Sequence, residues 1–123
     1  MKIYTGNFAN VKKYREAGLH PVSIATSARY FTGQCYRPLN PDRSYMMEPE
    51  ETYIPKYENH LKTLNAVKVV EDLEALSNGN DIVLCCHEGE SSFCHRQLVA
   101  KWLNQNLGLN VPELGKMQHN NLF

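Results

Sequence analysis

The sequence predicts a small three-layer α/β fold, a Rossmann-like, mostly parallel sheet with flanking helices, and three observations carry that prediction. Asp81 to Cys86 is a continuous apolar run, the pattern of a central strand covered on both faces. Leu98, Val99, Trp102, Leu103 and Leu107 follow it as a broad apolar stripe at helical spacing. At the other end of the chain, strand-like, helix-like and strand-like segments succeed one another, which points to a parallel, right-handed β-α-β unit.

Taken in order, Lys2 to Thr5 is a short strand candidate, and Gly6-Asn7 turns the chain into a helix over Phe8 to Ala17, where Phe8, Val11 and Tyr14 share one face. Gly18 stops that helix, and Val22-Ser23-Ile24-Ala25 reads as the second strand. From Thr26 to Glu51 no period holds. Gly33, Pro38, Pro41 and Pro49, with Tyr30, Phe31, Tyr36 and Tyr45, mark a long connection whose aromatics either serve a site or cover one edge of the core. Helical order returns with Tyr53, Tyr57, Leu61 and Leu64, then with Val69, Leu73 and Leu76, with a kink or break near Asn65 and a stop at Ser77-Asn78-Gly79. After the strand at 81–86 and the polar loop His87 to Ser92, a helix beginning near Cys94 runs to Gly108. Val111 to Leu114 is an edge-strand candidate, because Pro112 disfavours a central position. The tail 115–123 is expected either to dock or to fray.

A chain of 123 residues is expected to form one domain, 1–123. Thirteen basic residues balance thirteen acidic ones, so no general attraction to nucleic acid or to an anionic membrane is expected. No run is apolar over a membrane-spanning length, and Met1 to Thr5 lack a signal-peptide pattern, which leads to the expectation of a cytoplasmic protein. Cys35, Cys85, Cys86 and Cys94 are too few and too unevenly spaced for a secreted disulfide framework and are read as reduced thiols. Oligomeric state is left open, a homo-oligomer included.

In parallel sheets, ligands gather at the carboxyl ends of the strands, where loops and helix N-termini converge. Cys86 to Arg96 lies at such a point. The helix N-terminus favours an anion by about 0.3–1 kcal/mol, and Arg96 offers a bidentate fork to the same group. Glu88 is the candidate acid or base. Cys94 is either a thiol made reactive by the helix dipole or a small packed residue, and His95 is its candidate assistant. Cys86 and His87 join the candidate ligand-binding residues. A zinc site is disfavoured, since Cys94 and His95 are adjacent and point about a hundred degrees apart on a helix. Neither metal nor cofactor is therefore expected.

At these residues the chain resembles DUF488, a family of bacterial and phage proteins. The resemblance rests on Ile3-Tyr4-Thr5, Pro21-Val22-Ser23-Ile24, Tyr30-Phe31, Gly33, Tyr36, Leu39, Cys86-x-Glu88, Cys94-His95-Arg96 and Leu98-Val99-Ala100-x-Trp102-Leu103, and it covers most of residues 1–107. It implies the fold more than an activity, and it adds Thr5, Tyr30, Gly33 and Tyr36 to the candidate ligand-binding set. The sequence departs from the family at His87, where an aromatic residue such as tyrosine is common. The functional expectation is binding or processing of a small anionic ligand, phosphorylated or nucleotide-like, at 86–96. The alternative is a non-catalytic module that sequesters a nucleotide metabolite or contacts a protein partner.

Overall fold

In the computed structural model, which describes residues 1–28, 30–87 and 95–114, the strands are β1 (Ile3–Asn7), β2 (His20–Ser23), β3 (Gln34–Cys35) and β4 (Ile82–Cys86). The helices are α1 (Val11–Glu16), α2 (Glu50–Lys62), α3 (Ala66–Ser77) and α4 (His95–Leu107). The sheet order is β1-β4-β2-β3 and all three pairings are parallel. The expected β-α-β unit is present with one change: β4 inserts between β1 and β2.

All five residues of β4 are buried, and alternation along it divides the core. Ile82 and Leu84 pack in a cluster with Tyr57 and Leu61 of α2, Val69 and Leu73 of α3, and Val99 and Leu103 of α4. Val83 and Cys85 pack on the opposite face with Val11 and Tyr14 of α1. A strand apolar at every position is the result of this two-sided cover.

The second strand starts two residues earlier than the sequence reading placed it, at His20, and includes Pro21. The His20 amide donates to the Asp81 carbonyl at 2.8 Å and the Ile24 amide to the Cys85 carbonyl at 3.0 Å. Pro21 therefore turns its missing N–H towards β3, which pairs only with Val22 and Ser23. At Pro21 the strand is effectively an edge, where proline costs no ladder bond.

The first helix is shorter than expected: Phe8–Asn10 forms a 3₁₀ turn before α1. The 26–51 connection contains β3 and a 3₁₀ turn at Arg37–Leu39, and Tyr36, Leu39 and Tyr45 are buried from it. Near Asn65 the chain makes a full break between α2 and α3, and the Asn65 side chain caps α3 by accepting from the Lys68 amide at 3.1 Å. The edge-strand candidate at 111–114 is a single parallel bridge, Thr5 with Glu113, on the outer side of β1. There the Thr5 amide donates to the Pro112 carbonyl at 2.9 Å and the Leu114 amide to the Thr5 carbonyl at 2.5 Å. Among the described residues no helix is long and apolar enough to cross a membrane.

Candidate strand-edge site

β1 and β4 are neighbours, yet the chain leaves β1 for α1 on one face of the sheet and continues beyond β4 to α4 on the other. Connections diverging from adjacent parallel strands open a crevice at their carboxyl ends, the usual ligand position in such sheets. The first residues beyond the two strands, Phe8 and His87, meet there, with ring centroids 4.8 Å apart in an edge-on arrangement.

Two cavities meet at His87. One, of about 240 Å³, is walled by Phe8, Val11, Arg15, Tyr30, Phe31 and His87. The other, of about 110 Å³, is walled chiefly by Ala25, Thr26, Ser27, Tyr53, His87 and His95. A larger hollow of about 430 Å³ lies between residues 1–4 and 109–112, at the opposite end of β1. Among the described residues, its walls carry Lys2 and Tyr4 as their only ionisable side chains and none of the sequence-predicted site residues, so its size does not make it the chemical site.

His95 opens α4 and is buried. Its Nε2 lies 2.6 Å from the Ile24 carbonyl oxygen. A carbonyl only accepts, so Nε2 carries the proton and Nδ1 carries the lone pair. The ring stands edge-on to Tyr57 at 5.2 Å. Burial pushes its pKa down to about 4, against the opposing pull of the Ile24 carbonyl and with help from the neighbouring Arg96 charge. At neutral pH His95 is an uncharged imidazole of fixed tautomer, a group able to accept a proton or a hydrogen bond.

Arg96, in the first turn of α4, is completely buried, and its partner is one that sequence reasoning missed. Its Nε lies 3.0 Å from both oxygens of Glu113, and its Nη2 lies 2.9 Å from Oε2. The same carboxylate accepts from the Thr5 hydroxyl at 2.5 Å. The guanidinium also reaches Cys86, with Nη1 3.1 Å from Sγ. Thr5 thus acts on Arg96 through Glu113, and the fork expected for an incoming anion is already turned towards a carboxylate. The only sequence signal for this was an acidic residue in the edge-strand candidate, without any indication of where that segment would dock.

Cys86 is disulfide-bonded, which corrects the reading of all four cysteines as reduced thiols; Cys35 and Cys85 are free. Burial raises the Cys85 thiol to about 12, so Cys85 is a packing residue, as its place in the apolar run suggested. Glu88 and Cys94, two of the three expected catalytic residues, lie outside the described residues, as does the expected approach of Glu88 to Arg96.

The remaining candidates separate. Tyr30 and His87 line the cavities, and the His87 Nε2 also meets the Ser27 carbonyl. Gly33 abuts the aromatic wall: a Cβ there would lie 2.8 Å from the Phe31 ring and 3.0 Å from the Arg15 guanidinium. Tyr36 belongs to the core and donates to Asp72 at 2.7 Å, so it lines neither cavity. Arg15 was missed as a site residue, although its place four residues after Val11 puts it on the face shared with the aromatic wall. Among the described residues no cluster of three metal-binding side chains is present.

Residues 24–107, more than half of the chain, match a family model, DUF488-N3a, described as the active DUF488-N3 subclade. Comparison with curated proteins and with solved structures yields no match.

Proposed function

Because this chain belongs to the DUF488 family, in its active N3 subclade, we propose that it binds and acts on a small phosphorylated or nucleotide-like molecule in the crevice beyond β1 and β4. The observation that supports this most is the pair of cavities sharing His87, with His95, the first residue of α4, in the wall of one of them. A helix N-terminus presents unpaired N–H groups and partial positive charge to a ligand. The neutral His95 adds a proton acceptor in the same wall, and Arg15 adds a cation in the adjoining one.

In this reading His95 takes or holds a proton at Nδ1 while its Nε2–H stays on the Ile24 carbonyl. Arg96 and Glu113 are positioning residues that brace the end of β4 against α4. Glu88 remains the sequence-based candidate for general acid or base. A binding-only reading draws on a separate observation: the charge of Arg96 is met by Glu113, and Cys86 is held in a disulfide.

Thermal melts of the purified chain with nucleoside monophosphates, sugar phosphates and inorganic phosphate test the proposal. A ligand that binds only the folded state adds about 2.7 kcal/mol at a hundred times its Kd, so the melting temperature should rise with concentration. No rise with any of these anions would refute the site. Product formation by chromatography, abolished in His95→Gln while the melt shift persists, separates catalysis from sequestration.

A further inference from the structure

We infer, resting on the reading of the crevice as the ligand site, that the ligand is a planar aromatic ring joined to an anionic group, the composition of a nucleotide. The ring sits in the cavity walled by Phe8, Phe31, Tyr30 and Arg15, and the anionic end points past His87 towards α4.

Size assigns the two ends. An engineered apolar cavity of about 150 Å³ takes benzene, so the cavity of about 240 Å³ has room for a one- or two-ring heterocycle. Its neighbour of about 110 Å³ falls short of a ring and suits a compact group. The two share His87, so one molecule can span both.

Wall chemistry points the same way. The Phe8 and Phe31 rings lie with centroids 5.1 Å apart at 38°, and the His87 ring stands edge-on to Phe8. The Arg15 guanidinium lies 5.6 Å from the Phe31 centroid, and one of its donors goes to the Thr32 carbonyl, which fixes the group in place. Aromatic faces and guanidinium planes are the surfaces on which flat π systems stack, whatever their hydrogen-bonding edge. Tyr30 lines this cavity while 87% exposed, a large aromatic ring kept at a ligand wall and not in the core. Gly33 leaves the space in which the Phe31 ring sits, since a Cβ there would come within 2.8 Å of that ring and 3.0 Å of the Arg15 guanidinium, and one of them would have to shift.

Calorimetric titration with ring-bearing phosphates (adenosine and uridine monophosphates, phenyl phosphate) and ringless ones (ribose 5-phosphate, inorganic phosphate) tests the inference. The ring-bearing probes should bind about tenfold or more tightly than ribose 5-phosphate, the scale of one stacked base. Tyr30→Ala, at an exposed position that cannot unfold the core, and Phe31→Leu, which keeps apolar volume, should each remove much of that advantage and leave ribose 5-phosphate binding unchanged. Equal affinity for ringed and ringless phosphates, or an advantage untouched by both substitutions, overturns the ring subsite and leaves the anion reading standing. Failure of every probe to bind overturns both.

Discussion

His95 and Arg96 show how adjacent residues on one helix can meet burial in opposite ways. His95 stays neutral: its pKa falls from 6.5 to about 4, chiefly through burial. The folded value is depressed, so the unfolded chain binds the extra proton first as the pH drops. The resulting stability is complete above about pH 6.5 and is lost as the pH falls towards 4, on the order of 3 kcal/mol in all. Urea denaturation at pH 7.5, 5.5 and 4.5 should show this loss, and His95→Gln should flatten the part of the slope between the two upper points. An identical slope in wild type and variant would mean that His95 is not buried neutral.

Arg96 instead keeps its charge and requires a partner. Removing one member of a buried pair is costly because the other remains desolvated and uncompensated. Glu113→Ala should therefore destabilise by about 3 kcal/mol, the lower end of that effect, because Glu113 is itself 34% exposed. Arg96→Met should cost less, since it leaves only a carboxylate that water already reaches. The two urea midpoints at pH 7 decide the matter, and a costlier Arg96→Met would reverse this assignment of the dominant penalty.

Among the elements, those set by local periodicity were legible and those set by pairing were not. The apolar run of β4 and the stripe of α4 emerged where expected, because burial on two faces or on one stripe writes itself into residue spacing. The same was true of the stop after α3, where Asn78 adopts φ 53° and Gly79 φ 81°. The boundaries of β2 were not legible, since the register with β4 and the reach of β3 decide where Pro21 is tolerated. The break between α2 and α3 depends on a short-range signal, the Asn65 cap. Asn65→Ala should lower stability by about 1 kcal/mol, as is typical when an N-cap acceptor is lost. An unchanged melting temperature would show that packing alone holds that junction.

At the scale of the molecule, the chain by itself determined the parallel α/β class, the central strand and the helix that follows it, and the position between the two was its expectation for a site. Each of these follows from composition and spacing over a few turns or one strand. The tertiary structure decided what fills that position. It joined Arg96 to Glu113 and Thr5, respectively 17 and 91 residues away, withdrew Tyr36 into the core, and set Phe8 against His87. Side-chain partners so distant along the chain carry no periodic signature. They depend on which strand inserts beside which, and on where the segment after α4 returns to the edge of β1.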